Sequence, residues 1–308
     1  MCLESPEISP SQTRTSHGIP FIPFHRIEKD PTLSLAIVTD STSDLPQDIR
    51  EKYNIYQIPA LIIINGEVAH DGVDISREKY YQKLPFFDQL PTTSSPSSGE
   101  FQALYKKILS EGYSEILSIH VASELSGIYN AARLAAEEFG PQVKTFDSGQ
   151  ISLGLGFQAL EAAKAARNNS PIKEMIALLK ALQEKIYVYA MLDTVNYVMR
   201  SGRIPWAKAK LGALLNLRPL IQLKNGQVFN TGISRTRKRA ISRLHQKIQE
   251  LGALEYLAVL HTNAEEEGAR FLACYDHALQ HPPFLVHVTT SIGTHVGPKG
   301  IGFAAVVK

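Results

Sequence analysis

The chain has 308 residues, of which 44% are hydrophobic and 20% charged, and its formal net charge is +2. This balance excludes a disordered or fibrous protein, and it lacks the basic surplus that predicts nucleic-acid binding. The length exceeds that of one comfortable core, which predicts two domains or one large α/β unit. The two cysteines, Cys2 and Cys274, fit no metal or redox spacing, and no run reaches the roughly 18 apolar residues of a membrane span. We therefore expect a cytoplasmic protein that uses no metal and no cofactor.

Residues 1–32 differ in composition from the rest of the chain. Pro6, Pro10, Pro20, Pro23 and Pro31 stand there among mostly polar residues. Such a composition cannot easily build a core, because few of its side chains gain from burial. We predict a flexible N-terminal extension, and no function is assigned to it.

Residues 33–165 alternate short apolar runs with helical periodicity. Strands are predicted at 33–39, 55–64 with a break at Pro59, 68–73, 115–121 and 143–146, and helices at 47–53, 76–84, 97–110 and from Ser126 onward. This alternation is typical of a mainly parallel sheet flanked by helices. The pair Asn65-Gly66 predicts a hairpin, so the run that follows it returns antiparallel.

The pattern changes in the second half of the chain. Helices are predicted at 151–167, 171–184, 193–200, 206–214, 236–251 and 264–279, and strands at 186–191, 217–223, 227–232, 256–260, 284–290 and 301–307. Asn225-Gly226 predicts an antiparallel hairpin. The predicted fold is therefore α/β with two domains. The N-terminal domain, 33–165, has a mainly parallel sheet flanked by helices, and the C-terminal α/β domain, 166–308, has a mixed or antiparallel sheet.

One candidate anion site is the junction at Ser126-Gly127, between a predicted strand and a predicted helix. Free backbone N–H groups and the helix dipole favour an anion at a helix start. Gly127 would let a ligand approach the backbone, and the hydroxyl of Ser126 can donate or accept. The local pattern by itself favours a simple helix cap over an anion site.

A hydroxyl cluster at 92–98 is a second candidate anion site. Ser97 and Glu100 have the spacing of a capping box, so they are explained by the start of the next helix. Thr93 and Ser94 lie before that helix and have no capping role, which leaves an anion site or a solvated loop as alternatives.

Two further stretches carry polar residues near predicted strand ends. Residues 40–46 follow the first strand, where open parallel sheets bind ligands, but Ser43 or Asp44 capping the next helix is the favoured interpretation. Residues 292–300 form a predicted glycine-rich loop with His295 near its centre. That imidazole could bind a carboxylate or phosphate, act as a base, or satisfy a backbone group.

The only basic concentration lies at 235–243. It lacks the neighbouring aromatic residues of a nucleic-acid face, so we expect a solvated helix start that could contact a protein partner.

Eight motifs, taken together and in this order, resemble those of the DegV family of fatty-acid-binding proteins, which includes the B subunits of bacterial fatty acid kinase. They are Val38-Thr39-Asp40-Ser41-Thr42-Ser43-Asp44-Leu45-Pro46, Thr92-Thr93-Ser94-Ser95-Pro96-Ser97, Leu125-Ser126-Gly127-Ile128-Tyr129, Asp147-Ser148, Ser201-Gly202-Arg203-Ile204, Leu214-Leu215-Asn216-Leu217-Arg218-Pro219, Arg235-Thr236-Arg237-Lys238 and Ile292-Gly293-Thr294-His295-Val296-Gly297-Pro298. The resemblance covers roughly residues 34–308. The chain departs from the family pattern at Ser95, where glutamine is common, and at Arg218, where lysine is frequent.

The resemblance implies a long-chain fatty acid held between two domains. Carried over residue by residue, it places Thr93, Ser94, Ser126 with Gly127, and His295 at the carboxylate. It implies an apolar tunnel for the acyl chain in the second domain. Arg203 would lie at the mouth of the binding site, where it would interact with a partner or with a phosphorylated head group. The implied partner is a fatty acid kinase subunit that forms acyl phosphate. We expect no nucleic-acid partner, and we allow for transient contact with a membrane surface.

A rival interpretation is a serine hydrolase acting on acyl esters, with Ser126 as nucleophile and His295 as base. Ser126 lacks the Gly-x-Ser-x-Gly elbow, and the sequence offers no orienting acid in a recognisable context. The sequence therefore favours a non-catalytic lipid-binding subunit, with the hydrolase kept as the alternative.

Overall fold

The computed structural model describes residues 33–203, 217–275, 279 and 281–308. The predicted extension at 1–32, Cys2 and the predicted helix at 206–214 lie outside the described residues, as does part of the predicted helix at 264–279. Within the described residues the strands are β1 (Leu35–Asp40), β2 (Ile55–Ile58), β3 (Leu61–Ile64), β4 (Glu67–His70), β5 (Thr92–Ser94), β6 (Glu115–His120), β7 (Val143–Asp147), β8 (Ile186–Met191), β9 (Arg218–Lys224), β10 (Gln227–Ser234), β11 (Leu254–His261), β12 (Phe284–His287) and β13 (Ile301–Val307). The α-helices are α1 (Gln47–Tyr53), α2 (Arg77–Lys83), α3 (Ser98–Ser110), α4 (Ile128–Ala136), α5 (Leu153–Arg167), α6 (Ile172–Gln183), α7 (Asn196–Ser201), α8 (Arg237–Leu251), α9 (Glu265–Leu272) and α10 (Thr290–Val296).

The first sheet is entirely parallel, with the strand order β2-β1-β6-β7. Every residue of β1 is buried, because helices cover both faces of a parallel sheet. Helix α3 begins with the predicted capping box, in which Ser97 and Glu100 each bond the other's backbone N–H. The N-terminal part of the predicted fold is thereby confirmed.

The second sheet is mixed and has six strands in the order β10-β9-β8-β13-β11-β12. All neighbours are antiparallel except β11 and β12, which are parallel. Asn225 and Gly226 join β9 to β10 with positive φ angles of 49° and 74°, the conformation that a tight hairpin turn requires. The predicted hairpin and the predicted mixed sheet are both confirmed.

A third, antiparallel sheet with the order β4-β3-β5 was not expected from the sequence. The Asn65-Gly66 hairpin joins β3 to β4 as predicted, and the break at Pro59 sends β2 and β3 into different sheets. Strand β5 contains Thr93 and Ser94, so the interpretation of this stretch as a loop is wrong. Its pairing with β3 is a contact between distant residues, which a local pattern cannot reveal.

Helix α5 packs against β1 of the first sheet and against β8 and β13 of the second. Most of its residues are buried all round, as expected for a helix between two sheets. Gly156 lies against the carbonyl oxygen of Ser43, and Gly154 against Val188, so both positions need the absence of a side chain. One hydrophobic core therefore continues from the first sheet to the second, while the border predicted at 165/166 stays a prediction.

Asp44 forms a buried polar link between the two halves of the chain. Its carboxylate accepts hydrogen bonds from the Ser152 hydroxyl at 2.6 Å and from the backbone N–H of Thr289 at 2.7 Å, and Arg77 lies 3.7 Å away. The expected capping role of Ser43 or Asp44 is wrong, because Pro46 occupies the cap position of α1 without a side-chain hydrogen bond.

Asp71 forms a second link beside the first. It accepts hydrogen bonds from the hydroxyls of Ser41, Thr289 and Thr290 and is only 2% exposed. A buried carboxylate with hydroxyl donors on both oxygens keeps most of the stabilisation that water would give it. The two carboxylates together fix the start of α10 to segments that precede it by more than 200 residues.

Helix α10 corrects the prediction of a loop at 292–300, since Thr290–Val296 is helical and includes His295. The Tyr80 hydroxyl hydrogen-bonds the Thr294 hydroxyl, and the Tyr81 hydroxyl donates to the carbonyl of Val288 at 3.1 Å. Gly293 faces the Tyr81 ring so closely that an added Cβ would overlap it. The glycines and small residues that suggested a loop instead let the helix approach α2 closely.

We expect Gly293→Ala to lower the free energy of unfolding by about 2–3 kcal/mol, because the new methyl group displaces Tyr81. Gly99→Ala in α3 is the matched control, since its nearest neighbour lies at an ordinary 3.8 Å. That variant should be neutral or more stable by up to about 1 kcal/mol. Urea unfolding of both variants measures the difference, and equal stabilities would contradict the close approach of α10 and α2.

Asp44→Asn should change how stability depends on pH. Burial raises the pKa of Asp44 from 3.8 to about 7, although Arg77 and the hydrogen bonds lower it in part. A carboxyl with a raised folded-state pKa favours folding when protonated, so its contribution is lost as the pH rises from about 4 to 7. The melting temperature of Asp44→Asn relative to the wild type should therefore rise by about 3 °C or more between pH 5 and pH 8. A difference that is independent of pH would contradict the raised pKa.

Candidate functional site

A cavity of about 150 Å³ lies between the second sheet and α10. Its wall is mostly apolar and includes side chains of β8, β9, β13 and α10. Examples are Val188, Ala190, Ile221, Leu223, Ile301 and Val296. Leu125, just before the predicted anion junction, also lines it. An apolar space of this kind suits the hydrocarbon part of a ligand.

Polar side chains line the same cavity at a few positions. They are Ser152, Ser201, Arg203, Thr262 and His295. Gly202 caps the end of α7 with a positive φ of 73°, and Arg203 follows it. The exposed Arg203 side chain donates to the carbonyl of Ser201 at 2.6 Å. Arg203 is therefore placed beside the cavity and open to solvent, where an incoming head group or partner can reach it.

Thr93 and His295 are brought together although 202 residues separate them. The Thr93 hydroxyl and Nε2 of His295 are hydrogen-bonded at 2.8 Å. The structure thus places two of the predicted head-group residues side by side, with His295 also lining the cavity. The contact depends on β5 pairing with β3 and on α10 packing against both strands.

His295 is neutral at physiological pH. Burial, together with the nearby positive charge of Arg203, lowers the pKa of His295 from 6.5 to about 4. A neutral imidazole offers one N–H donor and one acceptor nitrogen. With Thr93 at one nitrogen, the pair can present a donor to a carboxylate without carrying a positive charge.

Ser126 and Gly127 lie at the start of α4 as predicted, with Gly127 in the cap position. The Ser126 hydroxyl accepts a hydrogen bond from the backbone N–H of Ile128 at 3.4 Å, which is the local capping role. A Cβ on Gly127 would lie 3.0 Å from the Ser95 hydroxyl oxygen. This contact brings the start of α4 next to the segment that follows β5, although neither Ser126 nor Gly127 lines the cavity wall.

Ser94 is exposed, and its hydroxyl lies 3.5 Å from the carbonyl oxygen of Ser95. Successive side chains of a strand point to opposite faces, so Ser94 and Thr93 project on opposite sides of β5. Within the described part of the chain, Thr93 is the residue of this pair that contacts His295. The role of Ser94 at a head group stays a prediction.

Ser152 is a site residue that the sequence did not indicate. It lines the cavity, donates to Asp44, and has φ 53° and ψ −145°, a conformation rare outside glycine. Such strain persists only where surrounding contacts impose it, and here Asp44 and the Thr42 carbonyl both bind Ser152. No local sequence signal identifies it, because the hydrogen bonds come from residues more than 100 positions away.

The hydrolase alternative requires Ser126 and His295 to be hydrogen-bonded. Across the residues that the structure describes, no hydrogen bond joins them, and the imidazole is bonded to Thr93 instead. The arrangement thus gives no support to Ser126 as an activated nucleophile.

The basic concentration at 235–243 is partly used within the fold. Arg237 forms ion pairs with Asp193 and Glu267, and Arg243 donates to the carbonyl of Ile233 at 2.7 Å. The expectation of a simply solvated helix start is therefore wrong for these two arginines.

Among the described helices, none is long and apolar enough to cross a lipid bilayer.

Comparison with known proteins places these features in a family. The DegV family model matches residues 34–308. Protein DegV of Bacillus subtilis strain 168 is 32% identical over 276 residues, which are 88% of this chain and 98% of that protein. The DegV domain-containing protein of Deinococcus radiodurans is 33% identical over 278 residues, again 88% and 98% of the two chains.

Solved structures agree with the sequence comparison. A DegV family protein from Thermus thermophilus, described by its fatty acid binding, matches with a TM-score of 0.82 and 30% identity over 90% of this chain and 100% of that one. DegV of Bacillus subtilis, described as a fatty acid binding protein, matches with a TM-score of 0.81, the same identity and the same coverage. This chain belongs to the DegV family.

Proposed function

We propose that the protein binds a long-chain fatty acid, with the acyl chain in the apolar cavity and the carboxylate near the Thr93–His295 pair. One observation carries this proposal: the apolar cavity is lined at one place by His295, which is hydrogen-bonded to Thr93. A long hydrocarbon with one polar end has the matching distribution of chemistry. Its relatives from Thermus thermophilus and Bacillus subtilis are described as binding fatty acids.

The apolar wall supplies the larger part of the binding energy. Each buried CH₂ contributes about 0.8 kcal/mol, and a cavity of about 150 Å³ holds a hydrocarbon group of about six carbons, so the described wall contributes on the order of 5 kcal/mol. This offsets an association cost of several kcal/mol. Chain length is therefore a main determinant of affinity.

The polar end fixes which way the ligand enters. A buried carboxylate is costly unless hydrogen-bond donors replace water. The Thr93–His295 pair supplies one such donor, and Gly127, which follows Ser126, lies beside Ser95 on the adjoining segment. Ser94 is the remaining head-group residue that the family resemblance implies.

We further propose that the protein presents its fatty acid to a separate kinase subunit in the cytoplasm, which forms the acyl phosphate. The exposed Arg203 beside the cavity supports this, since a guanidinium can bind the phosphorylated head group or an acidic partner surface. The sequence has no Gly-x-x-x-x-Gly-Lys-Ser/Thr loop of its own for ATP. Transient contact with a membrane surface would let the protein collect or deliver its lipid.

Solvent extraction of the purified, folded protein should release close to one fatty acid per chain, detected by mass spectrometry. Ala190→Phe places a ring in the cavity and should lower the amount released at least about tenfold. Leu134→Phe is the matched control, since Leu134 is 53% exposed on α4 and should keep full occupancy. Folded wild-type protein without lipid contradicts the proposal. Turnover of short acyl esters that disappears in Ser126→Ala would favour the hydrolase instead.

Two variants should separate binding from presentation. Thr93→Val removes the hydrogen bond to His295 and should weaken fatty acid binding about fivefold, measured by displacement of a fluorescent fatty acid.

Arg203→Gln should change that affinity less than about twofold. With a kinase subunit and ATP added, it should lower acyl phosphate formation by at least about tenfold, measured by trapping the product with hydroxylamine. Arg133→Gln, on the exposed surface of α4, is the control for loss of one charge. Acyl phosphate formation that survives Arg203→Gln contradicts the proposed role of this residue.

A further inference from the structure

A second cavity of about 330 Å³ lies on the other side of the Asp44 and Asp71 links. It is formed by the start of α1, the end of β2 with Pro59, and the segment from Asp71 to Glu78. Its polar lining includes Ser41, Arg50, Gln57, Asp71, Arg77 and Glu78. Val73, which also lines it, is 45% exposed, so the cavity opens to solvent there. None of these residues lines the fatty acid cavity.

Arg50 is the unusual member of this set. It is only 8% exposed, and its Nε donates a long hydrogen bond of 3.4 Å to the carbonyl of Leu45. In the described part of the chain, no carboxylate lies within 4.0 Å of its guanidinium. Burial and the nearby Arg77 lower the pKa of Arg50, although Glu51 raises it. Among the described residues, the guanidinium nitrogens of Arg50 are not buried atoms without a partner, so its spare N–H groups face the open cavity, where water or an anion can accept their hydrogen bonds.

The other charged groups of the cavity already have partners in the protein. Arg77 lies 3.7 Å from Asp44 and also donates to the carbonyl of His287. Asp71 accepts from three hydroxyls, and Glu78, on the solvent side, lies 3.3 Å from His287. Each of these groups therefore has a partner within the described fold, whereas Arg50 has N–H groups without one.

From this geometry we infer that the second cavity binds a small oxyanion, a phosphate or carboxylate group, through the Arg50 guanidinium, with Arg77 as a second positive charge in the same lining. A guanidinium presents its N–H donors in a planar fork that matches two oxygens of such a group. The volume leaves room for a metabolite-sized molecule around the anionic group. This site does not depend on the proposed fatty acid function, because its residues are separate from the acyl cavity.

The test uses the full chain and two probes, inorganic phosphate and acetate, each titrated at constant ionic strength and pH 7.5. Binding of either probe supports the site, and the one that binds better identifies the class of oxyanion. At ten times its dissociation constant the probe should raise the melting temperature by about 2–4 °C. Arg50→Gln should weaken that binding roughly tenfold to a hundredfold, measured by calorimetry. Arg133→Gln, an exposed arginine on α4, should leave it unchanged.

Arg50→Gln also has a readout without any probe. If Arg50 serves the ligand, replacing the unpaired buried cation should leave the melting temperature unchanged or raise it. A fall of more than about 4 °C would show that the guanidinium is a structural group and would overturn the proposal. Absence of binding by both probes, or equal binding to the wild type and to Arg50→Gln, would overturn it as well. Arg50→Gln should keep its full content of fatty acid, which separates failure here from failure of the acyl site.

Discussion

The structure depends on two buried carboxylates that join distant parts of the chain. Asp44 and Asp71 accept hydrogen bonds from the backbone and side chains of Thr289 and Thr290, and these bonds fix the beginning of α10. A carboxylate buried without donors would be strongly destabilising, so the segments that hold the donors cannot move apart cheaply. Since α10 carries His295, the links also determine where the histidine meets Thr93.

The same links separate two chemically different spaces. On one side, Ser152 donates to Asp44 and lines an apolar cavity suited to an acyl chain. On the other side, Arg77 lies near Asp44 and lines a cavity with a second arginine, Arg50. Among the described residues, four charged side chains line the second cavity, whereas Arg203 is the one cationic side chain in the lining of the first. An apolar lining favours a hydrocarbon and a charged lining favours an ion, so the two cavities suit different ligands.

Much of the architecture was readable from local pattern. Alternating strands and helices predicted the parallel sheet, the Asn65-Gly66 and Asn225-Gly226 pairs predicted two hairpins, and Ser97 with Glu100 predicted the start of α3. The errors lie where contacts between distant residues decide the conformation. The local pattern of β5 predicts a loop, because only its pairing with β3 makes it a strand. The pattern of α10 also predicts a loop, because its glycines serve close packing rather than flexibility.

The sequence by itself determined the fold class, the family resemblance and the identity of the polar residues available for a ligand, because periodicity and motif order are local properties of the chain. The tertiary structure decided which of those residues meet. It joined Thr93 to His295, placed Ser94 on the opposite face of its strand, and gave Ser126 a capping contact beside Ser95 rather than a place in the cavity wall. It also drew Ser152 and Arg50 into cavities by burial and by hydrogen bonds across long separations, which leave no trace in local composition.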